Sequence, residues 1–296
     1  MDVPMPFTVR HLTVYRYAEP VRLGEHRMMF RPRESHDLRL LDARLEIQPR
    51  PTCLRWLHDV FDNSMAIATF DGSTAELRFD SRVTLEHVTI TLPDYPLEAS
   101  AHTYPFRYAA DEVPNLARAL AHHYPSEEVA RWVRQFLPPS GTIETMRLLR
   151  SITRAIKDEF VYTQRHEKGI QSPQETLQRR RGSCRDFAVL MMEATRALGL
   201  AARFVSGYLF VPHVAAGRAV GGGATHAWMQ VYLPGAGWVD CDPTTSMIGN
   251  RNLIRVAVAW DPTLVLPLWG TFMGSAASVL GMDVTVTVTE ERAAAV

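Results

Sequence analysis

The sequence predicts an α+β protein in which an N-terminal β-sandwich is followed by helices and then by a mixed helix and strand domain. Three observations predict it. Residues from Phe7 to about Leu92 alternate with period two, helical spacing begins after the Pro93-Asp94-Tyr95-Pro96 run, and a later helix and hairpin carry Cys184, His226 and Asp242. At 296 residues the chain exceeds the usual single-domain size, so it is divided at that run into residues 1–100 and 101–296.

The first four expected strands span residues 8–15, 41–47, 65–70 and 82–90, each alternating and rich in β-branched residues. Turn signals separate them: Pro49-Arg50-Pro51, Asp62-Asn63-Ser64 and Asp71-Gly72-Ser73. Several short strands without intervening helices suggest a β-sandwich. Beyond the boundary, Pro105 and Pro114 mark a linker, and helices are expected over residues 114–124, 126–136 and 142–159. The last carries Met146, Leu149, Ile152 and Ile156 at helical intervals. The Gly221-Gly222-Gly223 run reads as a flexible loop.

The segment around Cys184 is the most informative. Phe187, Leu190, Met191, Ala194, Ala197 and Leu198 fall at i, i+3, i+4, i+7, i+10 and i+11, one buried face of a helix that Gly199 stops. Cys184 then sits at the helix N-terminus, where the macrodipole and unpaired amides favour thiolate over thiol. The competing reading is a small buried hydrophobe, the usual fate of a lone cysteine. Arg179, Arg180 and Arg181 could lower the thiol pKa further, although a charge run in a loop is usually only solvated.

Residues 225–233 alternate, with His226, Trp228, Gln230 and Tyr232 on one face and Ala227, Met229, Val231 and Leu233 on the other. Pro234-Gly235-Ala236-Gly237 is a turn, and residues 238–244 return as a second strand. Asp240 and Asp242 compete to orient His226. Ladder counting favours Asp242, because Asp240 lies deeper toward the turn, and a bulge in the loop would shift the pairing by a residue. Cys241 has the opposite parity and points into the packed side of the sheet. A helix-borne thiol, a strand-borne imidazole and then an acid is the order expected of papain-like Cys-His-Asx sites.

Composition narrows the functional classes. The 32 basic and 32 acidic residues cancel, which gives no general attraction to nucleic acid or anionic lipid. No stretch of about 18 apolar residues and no secretory signal pattern at the N-terminus predict neither a membrane span nor export, and three scattered cysteines predict no disulfide framework. The expected location is therefore the cytoplasm. No Cys-x-x-Cys or His-Glu-x-x-His pattern supports a metal, His122-His123 reads as a solvated helix end, and no cofactor is expected.

The same residues resemble the transglutaminase-like superfamily, in its bacterial form. The resemblance rests on Arg-Gly-Ser-Cys184-Arg-Asp-Phe-Ala, on Leu-Gly-Leu-Ala-Ala-Arg203-Phe-Val-Ser-Gly207-Tyr208, on Thr-His226-Ala-Trp228 and on Gly-Trp238-Val-Asp-Cys-Asp242-Pro243-Thr244. His11 through Val21 and Asp59-Val-Phe61-Asp-Asn63 are similar to the N-terminal region of bacterial members, although Asp62-Asn63 stands where relatives commonly have Gly-Asn. The resemblance implies a papain-like core with Cys184 as nucleophile, His226 as base and Asp242 as acid. By analogy it implies an oxyanion site made by the Cys184 amide with Gln178 or Tyr162, while Trp228 and Trp238 are candidates to line the site. The expected chemistry is acyl transfer on a peptide or protein amide, either hydrolysis or amine transfer, the alternative being a binding module that has lost the chemistry.

Overall fold

The computed structural model describes residues 5–88, 95–164, 169–211 and 224–290. Thr89 and Ile90 of the fourth expected strand, Pro93 and Asp94 of the boundary, and the Gly221 to Gly223 run lie outside the described residues.

The N-terminal region is built on β1 (Met5–Met28), whose alternation buries Phe7, Val9, His11 and Thr13 on one side. With β2 (Leu38–Gln48), β3 (Cys53–His58), β4 (Ser64–Thr69) and β5 (Ser73–His87) it forms one sheet in the order β2-β5-β1-β4-β3. The two stacked sheets of a sandwich were expected; all these strands are instead in a single hydrogen-bonded sheet. The cause is the length of β1, which pairs with β5 from Met5 to Arg16, shifts register before Val21, and then pairs with β4 from His26 to Met28. Tyr17, Leu23, Met28 and Phe79 cluster in a small core where it bends.

The middle of the chain holds α1 (Val113–Leu120), α2 (Glu127–Arg134) and α3 (Thr145–Glu159), close to the expected helices. The first two begin at a local signal: Pro114 near the start of α1, and Ser126 capping α2 by accepting from Val129 N. Two-residue strands tie the segment together, β6 (Thr103–Tyr104) pairing with β7 (Ile143–Glu144), and β8 (Val161–Tyr162) pairing in parallel with β9 (Arg181–Gly182). Between them lies a helix that periodicity did not reveal, α4 (Pro173–Arg179), capped by Ser172 and closed by Arg180 in the left-handed region. The expected arginine loop is in fact the end of α4, where Arg179 pairs with Glu175 and Arg180 with Glu159 on the surface.

The second sheet has the order β13-β12-β11-β10-β14, with β10 (Ala202–Leu209), β11 (His226–Leu233), β12 (Gly237–Asp242), β13 (Met247–Ile248) and β14 (Leu253–Ala259), all antiparallel. The helix α5 (Cys184–Ala197) packs on it, buried on nearly every side, as a helix must be when it has a sheet below and α2, α3 and α4 around it. The chain then returns to the first sheet. Strands β15 (Leu268–Met273) and β16 (Val279–Glu290) both pair with β1, so the expected division into 1–100 and 101–296 does not follow the hydrogen bonding at the C-terminal end. One apolar cluster joins both parts, with Phe7, Val9, Leu38 and Leu85 from the first sheet and Phe187, Leu190 and Met191 from α5. No helix among the described residues is long and apolar enough to cross a membrane.

Candidate active site

The site begins with a helix cap. Ser183 precedes α5 in extended conformation, and Asp186 Oδ2 accepts from both the Ser183 amide (2.8 Å) and its hydroxyl (2.8 Å), a capping arrangement that fixes the first turn. Asp186 Oδ1 also accepts from the Gln171 amide at 2.7 Å, tying the loop before α4 to the same turn. Cys184 is thereby held as the first residue of α5, at the positive end of the helix and with an amide that has no acceptor within its own helix. Burial by itself would raise the thiol pKa. The hydrogen bond and charge of His226, the Ala227 amide and the charge of Arg185 outweigh it and hold the thiol below its ordinary value.

His226 opens β11, and its register across from Gly207 places it at the end of the sheet that faces the α5 N-terminus. Its Nε2 lies 2.9 Å from Asp242 Oδ2, with both side chains fully buried. A carboxylate only accepts, so Nε2–H donates and Nδ1 is left for the thiol; Nδ1 has no other partner among the described residues. Asp242 is itself fixed by the Thr244 amide (2.9 Å) and the Thr245 hydroxyl (2.7 Å). Burial would lower the histidine's pKa and raise that of the acid, but their mutual charge and hydrogen bond prevail: His226 is raised and Asp242 lowered. This is the pairing that ladder counting favours. The register of the hairpin, Met229 with Cys241 and Gln230 with Asp240, leaves Asp242 nearer the open end where His226 lies.

Asp240 has other partners. Its Oδ1 accepts from Trp228 Nε1 at 2.6 Å and Gln230 Nε2 at 2.9 Å, and its Oδ2 from Arg255 at 3.2 Å. The Trp228 ring stacks on His226 with centroids 5.9 Å apart and planes inclined by 25°. Gly207 makes this possible, since a Cβ there would stand 2.7 Å from the Trp228 ring and 2.2 Å from the Ile254 carbonyl.

A cavity of about 240 Å³ opens on Cys184 and His226. Of the sequence-derived candidates, it is Tyr162 that lines it with them. The pairing of β8 with β9 sets Tyr162 beside Gly182, two residues before the cysteine, on the wall of the same cavity as the Cys184 thiol. Burial first, and then Cys184, push the Tyr162 hydroxyl up to about 12, so it stays a donor at neutral pH. Gln178 is not near. It lies exposed on α4 and donates to Glu128 at 2.7 Å, because the helical turn of α4 points it toward α2. Trp228 is wholly buried behind His226 and has no surface on the cavity, and Trp238 stacks instead under the Arg203 guanidinium, 4.1 Å from its ring centroid. Cys241 is enclosed in the apolar core, and burial followed by the two flanking acids pushes its thiol pKa up. His122 is exposed just beyond the end of α1, and from there its Nδ1 meets the buried Glu193 at 3.0 Å.

The cavity also has walls that sequence reading missed. His11, Thr13 and Tyr15 come from β1, Met282 and Val284 from β16, Leu266 from the connection into β15 and Leu268 from its first position. Only long-range pairing of the chain ends brings them there, and no local pattern announces it. Arg185 was within reach of sequence reasoning, being the residue after the cysteine at the second position of α5. Among the described residues, no group of three His, Cys, Asp or Glu side chains could hold a metal ion.

Fold and site together define a class, and comparison with known proteins gives the same one: the chain belongs to the transglutaminase-like superfamily. Residues 7–86 match the bacterial transglutaminase-like N-terminal region, and residues 138–243 match the transglutaminase-like superfamily core. Among relatives, the "Uncharacterized protein Rv2569c" of Mycobacterium tuberculosis is 30% identical over 292 residues, which is 95% of this chain and 92% of that one. The "Uncharacterized protein ML0607" of Mycobacterium leprae is 35% identical over 122 residues, 41% of this chain and 42% of that one. Among solved structures, "a Putative Cysteine Protease from Cytophaga hutchinsonii" superposes with a TM-score of 0.71 at 18% identity, covering 100% of this chain and 93% of that one, which shows a shared fold.

Proposed function

We propose that the protein is a cysteine-dependent acyl-transfer enzyme that hydrolyses a peptide or peptide-like amide. The observation that carries this reading is the continuous line from Cys184 at the α5 N-terminus through His226 to Asp242, open to a cavity at the thiol end. The Cys184 thiolate attacks the carbonyl carbon and the carbonyl π electrons move to oxygen. The Cys184 amide, with the Tyr162 hydroxyl as second donor, stabilises that oxyanion. The C–N bond breaks as imidazolium His226 gives its Nδ1 proton to the departing amine, leaving a thioester on Cys184. Water then attacks the thioester, His226 takes its proton, and the thiolate leaves with release of the acid. Asp242 is the orienting group throughout, holding the Nε2–H tautomer and stabilising the charged ring. A reducing compartment, the cytoplasm, suits a thiol that must remain free.

The test supplies a glutamine-containing peptide with a labelled primary amine and follows amine incorporation, free acid and ammonia by mass spectrometry. Hydrolysis that disappears in Cys184→Ala is expected. Incorporation that outpaces hydrolysis at millimolar amine would make the enzyme a transglutaminase, and neither product from any peptide would leave a binding module.

A further inference from the structure

The cavity at Cys184 has a chemistry of its own. At about 240 Å³ it is smaller than the roughly 300–1,000 Å³ of sites that enclose a whole small molecule, which suits one residue of a longer chain. One wall is apolar: Phe204 of β10, Leu266, Leu268, and Tyr15 and Val284 on the paired strands β1 and β16. That wall is anchored to the core of the site. His11 of β1 is buried, with Nδ1 3.0 Å from the Tyr208 hydroxyl on β10 and Nε2 3.1 Å from Thr13. Phe7, Val9 and Val286 of the same strands join the apolar cluster around α5. The lining also includes Arg185, the only Lys, Arg, Asp or Glu among the described residues that line the cavity. It is half-buried and forms no ion pair among the described residues. A half-buried cation with no carboxylate paired to it among the described residues, next to an apolar surface, fits a ligand that brings both an apolar group and a carboxylate.

We propose that the substrate is a peptide or peptide-like amide with a large apolar side chain that lies against the β1–β16 wall and a carboxylate that pairs with Arg185. This rests on the acyl-transfer reading of Cys184. It gives the N-terminal sheet and the C-terminal strands a shared role, since they build the specificity surface of a site whose chemistry lies wholly in the core.

The experiment measures kcat/KM by mass spectrometry on peptides that pair Leu, Phe or Met against Lys at each position. Each is made with Glu or Gln beside the apolar residue and with a free or amidated C-terminus. Iodoacetamide labelling of Cys184 is measured in every variant. The expected result is a preference for apolar peptides with a carboxylate, and the Glu/Gln and acid/amide arms show which carboxylate Arg185 takes. Arg185→Gln should erase that carboxylate preference, of about tenfold, with the ratio of paired substrates cancelling any change in the thiol itself. Val284→Glu should lower the apolar preference by roughly tenfold or more. Met282→Glu, on the exposed rim of the same wall, should lower it less and serves as the variant that folds regardless. Rapid labelling of Cys184 with no carboxylate preference, or with apolar preference intact in both wall variants, overturns the substrate assignment and leaves the nucleophile standing. Slow labelling of wild-type Cys184 removes the acyl-transfer reading and this inference with it.

Discussion

Asp240 and Asp242 stand two residues apart on one face of β12, both buried and both paired with a basic group, yet their surroundings differ in kind. Asp242 faces His226, an imidazole whose proton can be given up and taken back, and beyond it a thiol and a cavity. Asp240 faces Arg255, which is always charged, and its remaining oxygen is filled by Trp228 and Gln230. Arg255 in turn meets Asp37 at 2.5 Å, and Asp37 accepts from Asn250 at 2.6 Å, so this end of the hairpin is locked to the loop after β1. Burial and pairing therefore do not mark function by themselves. The mark is a partner whose proton can move, placed where a substrate can reach it.

The sharpest way to break the comparison is to neutralise each acid in turn. Asp242→Asn should preserve the fold but lower kcat by up to about 10⁴-fold, because the amide favours the wrong tautomer of His226 and no longer stabilises its charged form. Asp240→Asn should lower kcat far less and cost about 3 kcal/mol of stability in denaturant titration, the scale expected when one partner of a buried pair is removed. If Asp240→Asn lost as much turnover as Asp242→Asn, the Trp228 stack rather than Asp242 would be what orients the ring.

Tyr162→Phe sharpens the same contrast from the thiol side. Loss of an oxyanion donor should reduce kcat by roughly 10²-fold with little change in stability, since the ring still packs against Phe187. An unchanged kcat would reduce the Tyr162 hydroxyl to a packing role and leave the Cys184 amide to act without it.

How much of this was legible depends on range. The helix α5, its start at Cys184 and the β11–β12 hairpin follow from patterns confined to about twenty residues, and strand parity separates the Asp242 side from Cys241. The pairing of His226 with Asp242 was within reach because a short turn fixes a ladder. Gln178 misled because α4 was not recognised, and a helix there turns that side chain outward. Trp228 had the right parity for the site, but a neighbour on the same face can stack behind a histidine as well as border the cavity. The single sheet and the cavity wall were beyond local reading: Thr8 and Thr289 pair across 281 residues, and no periodicity within either strand names the other.

The smallest expected effect, and the one that examines the proton directly, is the pH dependence. His226 is raised above its ordinary value to about 10 by Asp242 and the thiolate, against its burial, while the Cys184 thiol is lowered, so a thiolate–imidazolium pair spans neutral pH. For stability, the raised histidine contributes fully below its unfolded value of about 6.5, and that contribution is lost as pH rises through about 10. The lowered Asp242 contributes above its unfolded value of about 3.9, and its share is lost as pH falls through its folded value. Turnover should follow a bell, falling by half at each limb's midpoint, in acid as the thiolate is protonated and in alkali as the imidazolium loses the proton owed to the leaving amine. Iodoacetamide reports one limb alone, because alkylation needs the thiolate and no proton donor. Cys184 should therefore label quickly at neutral pH and stay fast in alkali where hydrolysis declines, while Cys241, enclosed and raised in pKa, stays slow in the folded protein. Parallel decline of labelling and turnover above neutrality would mean that the alkaline limb reports loss of structure around the site. Equal labelling of Cys184 and Cys241 in the folded protein would mean that the α5 N-terminus confers no special reactivity.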